Sequence, residues 1–335
     1  MATKVAVIGA GSWGTAVAAI AAGRVDTTLW ARRPELARQI AADHLNGDYL
    51  PDYRLPPSLQ ATSDLAEATA DADVVVMGVP SHGFRDILGE CTAGLRAGVP
   101  VVSLTKGVEQ ASLKRMTEVV AELLPDNPHG VLTGPNLAKE IMAGQPAASV
   151  IAMTDEALAA DLQQVFSTDV FRVYTNPDVV GCEIAGALKN VMAIASGMAD
   201  GMGFGDNTRA ALITRGLAEL TRLGVALGGQ PLTFSGLAGM GDLVATCISR
   251  QSRNRFVGEQ LGRGRTIDEV IADMKMVAEG VKTSKAVVAL ADQAGVEMPI
   301  AEQVVAVLYD GKSAADVIPS LMRRQAKAEL HGISR

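Results

Sequence analysis

Aromatic side chains are scarce in this 335-residue chain, 4% of the total, whereas glycine is abundant at 34 residues. Cores closed mainly by Ala, Val, Leu and Gly let helices lie close against a sheet, which is how small residues are used in layered α/β structures. Cysteine is scarce too. Cys91, Cys182 and Cys247 are odd in number and show no metal-ligand spacing, which excludes a disulfide framework and reads as free thiols in a reducing compartment. Positive charge does not prevail: 30 Lys and Arg against 37 Asp and Glu give a net charge of −7. A general nucleic-acid or anionic-membrane role therefore has no electrostatic support, and any bound anion needs a local basic pocket. The four histidines, His44, His82, His129 and His331, form no ligand cluster, so a metal-dependent enzyme is not expected. No uncharged apolar run of about 18 residues stands out, so no membrane span is expected. Met1 to Lys4 leads directly into a strand without a cleavage region, and the cytoplasm is the expected location.

The length suggests about two domains. In the first half, buried β-branched runs alternate with helical stretches. Lys4–Ile8, Thr27–Trp30, Asp73–Gly78 and Pro100–Leu104 read as strands, and Val131–Thr133 and Ala148–Met153 as weaker ones. Helices are expected from Ser12 to Ala22 and from Pro34 to Ala42, the second opened by proline in its first turn. Apolar strands alternating with helices argue a parallel sheet covered on both faces. After Asn176 strand-like runs largely vanish, and 177–198, 206–227, 279–294 and 299–309 carry apolar residues at helical spacing. The expected organisation is a doubly wound α/β sheet over 1–176 and a mainly α-helical domain over 177–335.

Gly9-Ala-Gly11-Ser-Trp-Gly14 is G-x-G-x-x-G between a strand and a helix, the context in which that pattern binds a dinucleotide and marks a Rossmann-like domain. Gly9 permits the turn, Gly11 leaves room for the pyrophosphate, and Gly14 lets helix and strand close together. The second strand decides the cofactor. A site selective for NAD places a carboxylate at that strand's end to hold the ribose 2′-hydroxyl. Here the strand ends Trp30-Ala31-Arg32-Arg33. Two guanidinium groups suit a 2′-phosphate, so NADP(H) is expected to be preferred, with NAD(H) also accepted. The plainer reading is a solvated arginine pair at a helix start. Loops after the other strands should reach the same ligand. His82 is either a proton donor or, more plainly, a rim histidine touching the cofactor, while Lys106, at the next strand end, can hold an anionic substrate.

In the second half, Lys189-Asn190 lies within a long apolar helix, where such a pair is costly to bury unless it is used or partnered. The lysine is either a general acid–base group or one that reaches solvent along its stem. A glycine-rich loop, Phe234 to Gly241, precedes Asp242, either an acceptor for a polyol hydroxyl or a helix cap. Ser249 to Arg255 holds three arginines in an acidic protein, either a phosphate site or a solvated basic face.

Taken together, these residues resemble the bacterial-type NAD(P)-dependent glycerol-3-phosphate dehydrogenases. The resemblance rests on Gly186-Ala-Leu-Lys189-Asn190 followed by Asp200-Gly-Met-Gly-Phe-Gly-Asp-Asn207, and on Gly9–Gly14, Val79-Pro-Ser, Thr105-Lys106-Gly107 and Gly134-Pro135. It continues through Gly241-Asp242-Leu243, Gln251–Asn254, Val277-Ala-Glu279-Gly280 and Val296–Pro299, in the family's order over nearly the whole chain. It implies reversible reduction of dihydroxyacetone phosphate to sn-glycerol 3-phosphate for phospholipid biosynthesis, by a homodimer. It further implies Lys189 as the acid–base residue, and Lys106, Gly134, Asn136, Asp242, Ser252, Arg253 and Asn254 as substrate contacts. Gly9, Gly11, Ser12, Trp13, Gly14, Arg32, Arg33, Tyr49, Lys106, Ala138, Arg253, Val277 and Glu279 are the implied cofactor contacts. The chain departs from many members in carrying Asn136 where they have Ser or Thr; an asparagine still donates and accepts hydrogen bonds. The rival readings are a reductase of another small ketone or β-hydroxyacid, and a dinucleotide-sensing regulator without catalysis. The arginine-rich loop favours a phosphorylated substrate, and the presence of Lys189 and Asp242 favours an enzyme.

Overall fold

The structure, a computed structural model, describes residues 3–274, 278–329 and 331–332. It divides into two compact units, 1–106 with 114–179, and 107–113 with 180–335.

The first unit is built on ten strands: β1 (Lys4–Ile8), β2 (Asp26–Trp30), β3 (Leu45–Asn46), β4 (Leu50–Arg54), β5 (Gln60–Thr62), β6 (Val74–Met77), β7 (Val101–Ser103), β8 (His129–Thr133), β9 (Ala147–Met153) and β10 (Phe171–Asn176). Eight of them form one sheet in the order β10-β9-β8-β7-β6-β1-β2-β5, and β3 and β4 pair as a small hairpin. The alternation of side chains along the strands divides the apolar residues between two cores. Val5, Val7, Val76 and Leu29 pack with Val17, Leu36, Ile40 and Phe166 on one face, under the helices Ser12–Ala22, Pro34–Asp43 and Glu156–Phe166. Ala6, Ile8, Val75 and Met77 pack with Phe84, Leu88, Met116 and Val119 on the other. This is the doubly wound arrangement expected from the sequence.

One feature of the sheet was not legible. The strands from β5 to β8 in sheet order are all parallel, but β9 pairs antiparallel with β8, and β10 parallel with β9. After β8 the chain makes only the short helix Ala138–Met142 before re-entering the sheet at Ala147. It turns back at the end where it left, so it needs no crossover, and the last two strands run in reverse.

The second unit is helical, with one core that takes in Val108 and Leu113 from the 107–113 segment as well as residues from Ile184 to Val317. Its axis is Val179–Gly201, a helix long and apolar enough by composition to cross a membrane, yet 94% of its apolar window is buried inside the protein, as in a core helix. The stretch Pro231–Ile248 also meets those criteria, with 44% of its window buried, and it is broken into three helical pieces around Asp242. Helix Val179–Gly201 meets helix Arg253–Gly262 backbone to backbone. A Cβ on Gly258 would lie 2.0 Å from Ile194 O, and one on Gly197 would lie 2.0 Å from Arg255 O. Glycines at 201 and 262 repeat the contact one turn on, at 2.2 Å from Glu259 O and 2.3 Å from Met198 O. Elsewhere in this unit, Glu219 is buried and accepts from the N–H groups of Ile300 (2.8 Å) and Ala301 (3.3 Å), the first turn of helix Pro299–Tyr309. Burial pushes its carboxyl up to about 7, against the pull of those two N–H groups.

Because any Cβ at position 258 meets backbone rather than a flexible side chain, Gly258→Ala is expected to lower stability by about 1–3 kcal/mol. Urea unfolding measures it; an unchanged midpoint and slope would show that the two helices can separate without loss.

Candidate functional site

In the first unit, the residues singled out from the sequence gather at the carboxyl ends of β1, β2, β6, β7 and β8, where open α/β sheets take ligands. The order of the sheet places β1 between β2 and β6, so the chain reverses its direction of progress there. Gly9 leaves β1 with φ at 121°, and a Cβ on it would sit 2.6 Å from Gly78 O at the end of β6. Gly14 closes the same turn: its Cβ would lie 2.0 Å from Gly9 O. Gly11 differs, since nothing lies within 4 Å of where its Cβ would be. It precedes helix Ser12–Ala22 without a side-chain cap, and the first turn of that helix holds no acidic residue. The helix-start N–H groups are left for an anion, and the bare side of Gly11 is a cradle that a Cβ would fill. The residues therefore fit a dinucleotide pyrophosphate.

The hairpin of β3 and β4 is fastened to this loop. Asn46 is fully buried, and its Nδ2 donates to Ala10 O at 3.0 Å and to Thr15 Oγ1 at 2.8 Å. Its Oδ1 accepts from the Tyr49 N–H at 3.3 Å, and Ser12 Oγ donates to Tyr49 O at 3.4 Å. Trp13 lies edge-on to Phe171, ring centres 6.1 Å apart. Arg32 and Arg33 follow β2, both exposed. Arg33 is not a free cation as the sequence alone suggests: it pairs with Asp48 at the tip of the hairpin. That contact holds the guanidinium pKa above its ordinary value, first through the hydrogen bond and then through the charge of Asp48. Arg32 makes no ion pair among the described residues.

Two strand ends along, Thr105 Oγ1 donates to Val79 O at 2.6 Å and ties the loop after β7 to the loop after β6. Lys106 Nζ donates to Gly134 O at 2.9 Å and to Asn136 Oδ1 at 2.5 Å. The Asn136 Nδ2 reaches Ser149 Oγ at 3.4 Å, and Ser149 donates to Thr133 O at 2.6 Å. Asn136 is thus a partner of Lys106. Ala138 opens the short helix Ala138–Met142, which packs on helix Ser12–Ala22.

In the second unit, Lys189 does not reach solvent along its stem. It is 4% exposed, with Nζ 3.2 Å from Asp242 Oδ1. Asp242 is the first residue of helix Asp242–Ile248 rather than its cap, and it follows a π-helical turn over Leu237–Gly241. Thr246, one turn on, accepts from Lys189 Nζ at 2.8 Å and offers its own proton to Asp242, 2.7 Å from the carbonyl and 3.1 Å from Oδ1. Asn190 Oδ1 accepts from Lys189 at 3.1 Å and from Asn254 Nδ2 at 2.9 Å. Asn254 Oδ1 in turn accepts from the Gly280 N–H at 2.9 Å, in the first turn of helix Glu279–Ala294, where Glu279 stands half-buried. A single chain of hydrogen bonds therefore runs from the start of that helix to the lysine.

The arginine-rich run resolves into separate roles. Ser252 caps helix Arg253–Gly262 by accepting from the Arg255 N–H at 3.2 Å. Arg253 is exposed at the helix start. Arg255 is committed to the fold, 2.7 Å from Asp200 and 3.3 Å from Glu259. Val277 lies outside the described residues. Sequence reasoning missed Thr246, whose signal is its spacing of four from Asp242 on one helix. It also missed Asn46 and Asp48, which carry no local motif. The three cysteines are free and buried, and burial pushes the thiols of Cys91 and Cys247 up to about 12, so neither is a nucleophile.

Comparison with known proteins agrees over both units. The family model described as NAD-dependent glycerol-3-phosphate dehydrogenase N-terminus matches residues 4–159, and the corresponding C-terminus model matches residues 178–319. A glycerol-3-phosphate dehydrogenase [NAD(P)+] of Sphingopyxis alaskensis is 57% identical over 331 residues, 99% of each chain. One from Thermobifida fusca is 54% identical over 335 residues, 99% of this chain and 100% of the relative. The crystal structure of glycerol-3-phosphate dehydrogenase from Coxiella burnetii superposes with a TM-score of 0.93 at 36% identity, covering 96% of this chain and 99% of that one.

Replacing Asn46 by Ala strips the buried Ala10 carbonyl and Thr15 hydroxyl of a donor while leaving every glycine in place. The expected result is a roughly tenfold rise in dinucleotide Kd, equivalent to about 1.4 kcal/mol, read by fluorescence titration. Unchanged affinity would mean that the glycine loop holds its shape without the hairpin.

Proposed function

The chain belongs to the NAD-dependent glycerol-3-phosphate dehydrogenase family, and we propose that it catalyses the reversible reduction of dihydroxyacetone phosphate to sn-glycerol 3-phosphate with NADP(H) or NAD(H). The observation that carries the proposal is the buried Lys189–Asp242–Thr246 cluster, joined through Asn190 and Asn254 to the start of helix Glu279–Ala294.

When bound, the reduced nicotinamide supplies the hydride. The protein's task is to place the ketone and supply a proton to its oxygen as negative charge develops there. Lys189 Nζ is the donor. Asp242 and Thr246 aim it, because the carboxylate and hydroxyl fix the amine from one side. Asn190 holds it from another and is itself held by Asn254, so a proton can move at Nζ without the chain relaxing around it. Arg253, at the start of a helix whose N–H groups and dipole favour an anion, is assigned to the substrate phosphate with Ser252 and Asn254. Lys106, Gly134 and Asn136 are assigned to substrate from the first unit, and Asp242 to a substrate hydroxyl as well as to Lys189. Gly9, Gly11, Ser12, Trp13, Gly14, Arg32, Arg33, Tyr49, Lys106, Ala138, Arg253 and Glu279 are assigned to the cofactor. The reading includes a preference for NADP(H), supported by Arg32 and Arg33 at the end of β2. It also includes a homodimer, and a cytoplasmic setting in which free thiols such as these persist.

Lys189→Ala is expected to lower kcat for dihydroxyacetone phosphate reduction at least about a hundredfold. It also leaves Asp242 buried without its cation, at a cost to stability of about 3–5 kcal/mol. A Lys189→Met, Asp242→Asn double variant separates the two effects: its unfolding midpoint should recover and its turnover should not. Near-normal turnover in either variant rejects Lys189 as the proton donor. For the cofactor, an Arg32→Asp, Arg33→Asp double variant is expected to lose the preference for NADPH over NADH in kcat/KM; an unaltered preference rejects the arginines as the 2′-phosphate site.

A further inference from the structure

The end of β2 lacks the carboxylate that holds a ribose 2′-hydroxyl, yet the structure brings one to the same place from elsewhere in the chain. Asp48 stands at the tip of the hairpin between Asn46 and Leu50 and pairs with Arg33, both side chains about half exposed at 51% and 54%. This tip is not a loosely placed surface turn. Asn46 pins one side of it to the glycine loop through Ala10 and Thr15. The Gly47 N–H donates to Gln39 Oε1 at 3.1 Å, on the helix that Arg33 caps. Tyr49, on the other side, is tied to Asn46 and to Ser12 at the first turn of the pyrophosphate-binding helix. Five hydrogen bonds around one residue fix where Asp48 stands, and Arg33 is the ion-pair partner of its carboxylate among the described residues.

We propose that Asp48 is a specificity-determining residue of the dinucleotide site, supplying from the hairpin the acid that β2 lacks and competing with a ribose 2′-phosphate for Arg33. The inference rests on the reading that a dinucleotide binds along Gly9–Gly14. A 2′-phosphate arriving beside Arg32 and Arg33 must share or displace the Asp48 carboxylate and sits near a like charge. A 2′-hydroxyl meets no such cost and can donate to that carboxylate. Arg32, without an ion pair among the described residues, keeps attraction for the phosphate, while the Asp48–Arg33 pair tempers it. A site built this way accepts both cofactors. Its discrimination should therefore be small and set by the balance of three charged side chains rather than by a shape that excludes one ligand.

The experiment is direct binding of NADPH and NADH, by fluorescence titration of the full chain and of the variants Asp48→Asn, Arg33→Gln and the double variant. Asp48→Asn should tighten NADPH and weaken NADH, raising the affinity ratio by roughly twofold to fivefold, the scale of a partly exposed charge pair. Arg33→Gln should lower the same ratio, and in that background Asp48→Asn should have a smaller effect, because the competition for the guanidinium is gone. A ratio unmoved by Asp48→Asn while Arg33→Gln lowers it overturns the role of Asp48 and leaves the dinucleotide site standing. A ratio unmoved by either variant overturns the inference together with the assignment of Arg33. Failure of the unmodified chain to bind either dinucleotide overturns the reading of the site itself. Melting temperatures measured alongside should stay close to the parent, since both side chains are half exposed.

Discussion

A lysine buried to 4% exposure requires an anion within reach, and the helical unit is arranged around meeting that requirement. Asp242 provides the charge at 3.2 Å, Thr246 a hydroxyl and Asn190 a carbonyl oxygen, so the amine is partnered on several sides. None of these partners comes from the same turn as the others. Thr246 and Asp242 come from a helix that begins after a π-helical turn, and Asn190 depends on Asn254 from a third helix. Asn254 is delivered by the glycine-to-backbone contact between Val179–Gly201 and Arg253–Gly262. A side chain in that contact would move the third helix outward, and the hydrogen-bond chain to the lysine would part at Asn254.

The first unit solves a different problem by a related means. A pyrophosphate needs backbone N–H groups without side chains in the way, so a loop shaped to fit one cannot be braced by side chains of its own. The brace comes instead from a hairpin inserted after the second strand, whose Asn46 is buried completely against the loop's outer side. The ligand side of Gly11 stays open while the other side is tied down.

How much of this could be read from the sequence depends on distance along the chain. The strand, glycine turn and helix from Lys4 to Ala22 are local, and each is fixed by residue types whose spacing is diagnostic. The same holds for the long helices of the second unit, whose apolar periodicity places them within a few residues. Lys189 and Asp242 were legible as costly or unusual residues, but their pairing joins positions 53 apart, and no local rule brings them together. The reversal of β9 and β10 was illegible for another reason: apolar strands of similar composition serve either direction, and only the length and path of the connection decide it. The arginines after β2 were legible as exposed cations at a strand end where open α/β sheets take ligands. That one of them is already occupied followed from Asp48, a residue without any motif of its own. Arg255 likewise looked like part of an anion site, and Asp200, a long way back in the chain, claims it.

Glu219 adds a consequence for the molecule as a whole. Its carboxyl, lifted by burial to about 7 from an ordinary 4.5, keeps a proton in the folded chain at a pH where the unfolded chain has released it. The group's contribution to stability is full below about pH 4.5 and is lost as pH rises through about 7, opposite in sense to that of a salt-bridged surface carboxylate. Unfolding in mildly acidic solution is then also an acid dissociation, and the heat it absorbs includes the heat of protonating whatever buffer takes up that proton.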